Sequence, residues 1–219
     1  TGQNGQAQIH DTQTPISGLI VHRGVVARGD ISVGDQVSAQ VDLVRRADTA
    51  RNHTGTHLLH AALRHVLGNH VRQAGSLVTP DRLRFDFSHI IGLSSGELGE
   101  VQTLVNQKVR DNLTIRIKES TYAQAVQEGA LAFFGDKYGT KVRVVEMADK
   151  EPFSKEVCGG THANATGEVG SVFVLGESSI GGGMRRIESV TGRAAEQLFM
   201  ERTWTLEALA NRLQTPLSD

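Results

Sequence analysis

At 219 residues the chain has room for one large domain or two smaller ones, and an apolar share of 38% is enough to build a core. A formal net charge of −1 gives no overall basic field for nucleic acid, although a local basic face is compatible with a neutral protein. A single cysteine excludes an internal disulfide and fits a reducing, cytoplasmic setting. No apolar run approaches the ~18 residues of a membrane span, and no signal-peptide pattern opens the chain. The polar start, TGQNGQAQIHDTQTP, reads like the interior of a longer polypeptide.

Residues 1–46 are predicted to be β-rich. LIVHRGVV and QVSAQVDL flank the turn ARGDISVGD, which suggests a small barrel or meander bent at Gly18, Gly24, Gly29 and Gly34. This part reads as a supporting module without chemistry. From Asp48 the period changes. Asp48 or Thr49 is the expected helix cap, and Leu58, Leu59, Ala62, Leu63, Val66 and Leu67 recur at helical spacing until Gly68-Asn69. GSLVTPDRLRFDFSH reads as two strands around Thr79-Pro80-Asp81, with Leu83, Phe85 and Phe87 on one face. Ser94 or Ser95 opens a second helix with Glu97 near its start. TIRIKEST is a strand, TYAQAVQEGAL a helix ending near Gly129, KVRVVEM a strand and Gly170 to Leu175 another. RAAEQLFMERTWTLEALANRL is an amphipathic helix. Helices and mostly antiparallel strands in mixed order predict an α+β fold.

The chemistry is concentrated in two pieces. His53 and His57 are spaced i, i+4, so both reach one point beside a helix. CGGTH holds Cys158 and His162, and Gly159 and Gly160 are expected to let the backbone fold tightly enough for them to converge. Three imidazoles and one thiolate suit Zn²⁺. His60 reads as a supporting or core histidine rather than a ligand. The residues between His53 and His57 are Thr54, Gly55 and Thr56, so the carboxylate base of a zinc protease is missing. Four protein ligands make a closed zinc site, whereas catalysis needs an open position. His162 is therefore nominated as the displaceable ligand.

NHTGTHLLHAAL, HVRQAGSLVTPDRLRFDFSH, GALAFFGDKYGTKVRVV, CGGTH and GGGMRRIESVTG resemble the editing region of alanyl-tRNA synthetases, in order and over almost the whole chain. The free-standing AlaX-type editing proteins share the core, and threonyl-tRNA synthetase editing domains share only the HxxxH and CxxxH pattern. The resemblance implies a small β-barrel over 1–46, a two-layer α/β zinc-containing editing core over 47–192, and a C-terminal helix over 193–219 leading to a further domain. It implies hydrolysis of tRNA(Ala) mischarged with serine, and to a lesser degree glycine, with zinc held by His53, His57, Cys158 and His162. ATP-dependent activation belongs to a domain upstream. Family members usually carry Ala where this chain has Gly55, a change expected to loosen the helix by up to ~1 kcal/mol.

A pocket shaped for alanine cannot strongly reject serine, whereas a second site can require the hydroxyl. Gln73 and Thr54 are candidates for reading it. The bland alternatives are a surface amide for Gln73 and a capping or helix-surface hydroxyl for Thr54. Gly159, Gly160 and Thr161 would offer backbone N–H groups to an oxyanion. For the tRNA, Arg185 and Arg186 follow a glycine run where backbone can approach a phosphate, with Arg82, Arg84, Lys137, Lys141 and Arg143 extending a basic face. One of the Arg185–Arg186 pair can instead brace the core. The expected partners are the tRNA(Ala) acceptor end and the rest of a synthetase chain, with no membrane, and the piece itself is expected to be monomeric. Two readings compete with an editing hydrolase: an RNA-binding module with a structural zinc, and a metallohydrolase of another small ester.

Overall fold

The computed structural model describes residues 1–2, 4–16, 18–133 and 141–216. The chain divides into two compact units, Thr1–Leu43 and Val44–Asp219. In the first, β1 (Gly5–Ile16) and β2 (Leu19–Gly29) form a two-stranded antiparallel ladder, irregular at three points. A closed barrel is not seen among the described residues. The polar lead-in is itself a strand, because the backbone of LIVHRGVV needs a partner and the preceding segment supplies one. QVSAQVDL forms no strand beyond a single bridge from Val37 to Gly2.

The second unit is mixed α and antiparallel β. Its helices are α1 (Leu43–Leu67), α2 (Ser95–Arg110), α3 (Tyr122–Gln127) and α4 (Gly192–Leu213). Its strands are β3 (Gln73–Val78), β4 (Leu83–Ser88), β5 (Thr114–Thr121), β6 (Lys141–Ala148), β7 (Pro152–Val157), β8 (Val172–Gly181) and β9 (Met184–Thr191). One sheet runs β3-β4-β9-β8 and the other β5-β6-β7. The core joins Leu58, Leu59 and Leu63 of α1 to Phe85 and Phe87 of β4, Val101 and Val105 of α2, Met147 of β6 and Ile187 of β9. The alternation of LRFDF is realised: Leu83, Phe85 and Phe87 are all fully buried.

Helix α1 begins five residues before the expected cap. Asp48 does not cap; its carboxylate accepts from Arg51 at 2.7 Å and also from Arg193. Thr49 donates to the carbonyl of Arg45. α2 starts as expected, with Ser94 and Glu97 forming a reciprocal capping box. In this unit two strands escape the sequence reading. β7 lies in a segment rich in Lys and Glu, and β9 follows a glycine run that is a hairpin turn with positive φ at Gly181, Gly182 and Gly183.

Candidate metal centre

α1 carries His53 and His57 on the side that faces the loop after β7. That loop is tied down at several points. The Cys158 N–H donates to the Arg143 carbonyl, and the Arg143 guanidinium donates to the Gly159 carbonyl, each at 3.0 Å. The Ala163 N–H donates to Thr54 Oγ1 at 3.1 Å, which fastens the loop back onto α1. The result brings together one donor atom from each of His53, His57, Cys158 and His162, all within 4.8 Å of one another. Cys158 Sγ lies 3.3 Å from His53 Nε2 and 3.3 Å from His162 Nε2. A zinc tetrahedron with bonds of about 2.0–2.3 Å has edges of roughly 3.3–3.8 Å, which the two sulfur–nitrogen distances match, and the donor set fits such an ion in chemistry.

Burial alone would raise the Cys158 thiol. Hydrogen bonds with His162, His53 and His57, and the charge of His57, outweigh that and bring it down to about 3. The sulfur is thus a thiolate, the form that binds metals. Burial lowers His162, with the charges of His57 and His53 adding to it. His57 is pulled down by burial but pushed up further, to about 10, by the charge of Glu156 and by its bonds with Cys158 and Glu156. A cation at the centre would displace that proton, since a ligating imidazole must be neutral.

Glu156 is the residue the sequence reading missed. It is 3% exposed on β7, and each of its oxygens meets an imidazole at 2.8 Å: Oε2 to His57 Nδ1 and Oε1 to His60 Nδ1. Burial would raise its carboxyl, yet the charge and hydrogen bond of His57 and the bond from His60 hold it far below the usual range. A signal existed in the alternation of PFSKEVC, which turns Ser154 and Glu156 inward. His60 is outside the four-donor group, fully buried against Phe85 and Phe133.

Gly160 is required for a reason other than the expected one. Neither Gly159 nor Gly160 has positive φ. A Cβ on Gly160 would lie 1.9 Å from His53 Cε1, whereas one on Gly159 would meet nothing within 4 Å. The His53 ring occupies the space that a side chain on residue 160 would need.

Comparison with known proteins points to tRNA synthetases. Residues 142–188 match the family model described as the threonyl and alanyl tRNA synthetase second additional domain. The chain is 52% identical to the alanine–tRNA ligase of Chloroflexus aurantiacus over 98% of its length and 25% of the relative. It is 47% identical to that of Desulforamulus reducens, over 100% of the chain and 24% of the relative. Against that of Nitrosomonas europaea the figures are 46%, 96% and 24%. The chain is homologous to one region of alanyl-tRNA synthetases. It spans about a quarter of the length of these curated relatives.

The other expected site residues of this alanyl-tRNA synthetase region are placed as follows. Thr54 is fully buried and its hydroxyl is occupied, accepting from Ala163 N–H and lying 3.5 Å from His162 Nδ1. Gln73, half-buried at the start of β3, donates to Ser76 Oγ at 2.9 Å. Thr161 is half-buried in the metal loop. Arg185 and Arg186 are carboxylate clamps: Arg185 donates through two nitrogens to Glu177, and Arg186 through two to Asp86 at 2.7 and 2.9 Å. A phosphate at either would compete with a carboxylate. Arg82 pairs with Glu188 and Arg84 with Asp86. Lys141 is exposed at the start of β6. Lys137 lies outside the described residues. None of the helices of the described residues is long and apolar enough to cross a membrane.

Proposed function

We propose that this region is an aminoacyl-ester hydrolase that clears tRNA(Ala) mischarged with serine, and less efficiently glycine, using zinc held by His53, His57, Cys158 and His162. The observation that carries the reading is the convergence of three imidazoles and one thiolate in a chain homologous to alanyl-tRNA synthetases. Zinc held there supplies Lewis-acid chemistry: it polarises a carbonyl and acidifies water. The protein's own groups do the positioning. Thr54 fastens the loop that carries His162, and Arg143 holds Cys158 and Gly159. Backbone N–H groups of Gly159, Gly160 and Thr161 are the donors we assign to the developing oxyanion. His162 is the ligand we assign as displaceable, since its Nδ1 has a 3.5 Å approach to Thr54 where His57 has a 2.8 Å bond to Glu156. With the Thr54 hydroxyl committed to the loop, Gln73 is the better candidate to read the serine hydroxyl.

The acceptor end of tRNA(Ala) and the remainder of a synthetase chain are the partners this reading implies. Arg185 and Arg186 stay in it as tRNA contacts only if phosphate displaces their carboxylates. Arg185→Ala then flattens the salt dependence of tRNA binding, and an unchanged slope removes Arg185 from the interface. The piece is expected to sediment as a monomer in the cytoplasmic setting that its reduced cysteine fits. Four protein donors in one group favour a second reading, a tRNA-binding module with a structural zinc. Deacylation of Ser-tRNA(Ala) against Ala-tRNA(Ala), by the chain and by Cys158→Ala, separates the two. Selective loss of serine, abolished in the variant, is the result expected of the hydrolase. Tight tRNA binding with neither ester cleaved supports the binding module.

A further inference from the structure

We propose that Glu156 is the positioning residue of the metal centre, a single buried carboxylate that aims the His57 ring with one oxygen and anchors itself on His60 with the other. The inference rests on the reading of His53, His57, Cys158 and His162 as metal ligands.

The two 2.8 Å bonds both end on Nδ1 atoms, of His57 and of His60. His57 Nδ1 is thereby committed to the carboxylate, which leaves Nε2 for a cation beside the Cys158 sulfur. Carboxylate–histidine–metal arrangements fix ring orientation and raise the basicity of the ligand. The anchor is rigid. Glu156 pairs with Val145 of β6 on one side and bridges to Leu131 on the other, so its backbone cannot swing. Ser154 Oγ donates to Oε1 at 3.3 Å. His60 is fully buried between Phe85 and Phe133, with ring centroids 5.2 and 5.1 Å away. Its Nε2 has no hydrogen-bond partner among the described residues. Among the described residues, its one side-chain hydrogen bond is to Glu156, which marks it as a brace for the carboxylate. A buried carboxylate and a half-satisfied buried imidazole are costly in a core. Packing alone gives no reason to keep either, whereas holding a ligand ring does.

The test measures Zn²⁺ affinity by competition with a chromophoric chelator, and the visible absorption of the Co²⁺-substituted chain, for the 219-residue chain and two variants. Glu156→Gln, whose amide can accept from only one of the two rings, is expected to bind Zn²⁺ about 10–100-fold more weakly and to shift the cobalt bands. His60→Gln is expected to shift the bands the same way with a loss of roughly a few-fold, because the carboxylate loses its brace but not its grip on His57. A folded Glu156→Gln protein that matches the parent in affinity and in cobalt spectrum overturns the inference. Should that variant fail to fold, a His60→Gln protein identical to the parent in both readouts overturns it instead. A parent chain that takes up neither Zn²⁺ nor Co²⁺ overturns the ligand reading itself, and this inference with it, before any substitution is compared.

Discussion

At the scale of single residues, the centre depends on atoms that are not ligands. Gly160 is the sharpest case, because the His53 ring fills the volume of a Cβ there, while Gly159 looks onto open space. Gly160→Ala is expected to abolish stoichiometric zinc binding, and Gly159→Ala to leave it unchanged. Metal analysis after gel filtration checks both, and equal zinc contents would refute the packing argument. Thr54 is a second case. Thr54→Val keeps the shape but strands the buried Ala163 N–H, at a cost of about 1–3 kcal/mol. Urea denaturation measures that loss, and a loss below ~0.5 kcal/mol would show that the loop finds another acceptor.

At the scale of elements, the path of α1 across the sheet is set by how closely the two can approach. Gly55 looks like a weak point in a helix. Yet a Cβ there would lie 2.9 Å from Thr191 Cγ2 and 3.2 Å from Leu83 Cδ2, both on buried residues. Thr191 is also held in place by its bond to Asn52 Oδ1. Gly55→Ala gains up to ~1 kcal/mol of helix propensity and meets overpacking of about 1–3 kcal/mol. The net expectation is a loss of about 1 kcal/mol. Thr191→Ser removes the methyl in the way, so the double variant is expected to recover most of that loss. Additive effects of the two changes in denaturant melts would contradict the close-approach explanation.

At the scale of the whole molecule, the centre joins α1 to a loop more than 100 residues later, between Cys158 and His53, so a metal held there would be linked to folding. Zinc at 100 times its Kd would contribute about 2.7 kcal/mol. Chelation is therefore expected to lower the melting temperature by roughly 5–11 °C at this chain length. A melt indifferent to chelator would separate the site from stability. How much of this was legible beforehand follows from distance along the chain. The periods of LRFDF and of the α1 stripe, the Ser94 capping box and the i, i+4 histidines are local, and local physics sets them through 3.6- and 2-residue geometry. The CGGTH motif announced its donors by composition. The strand character of β1, β7 and β9 was illegible, because strand formation there depends on partners supplied elsewhere. The early start of α1 was likewise hidden, with Asp48 held by Arg193, 145 residues away. Arg185 and Arg186 read as phosphate contacts, or one of them as a brace, because their carboxylates, Glu177 and Asp86, are recognisable only once β8, β9 and β4 lie side by side. By itself, then, the sequence determined the α+β class, the main helices and the four donors, since each is a matter of residue type and short-range period. Only the tertiary structure decided that Glu156 stands behind His57, that Gly160 yields its volume to His53 and that Thr54 is committed to the loop, because each of these is a contact between segments about 100 residues apart that folding alone brings together.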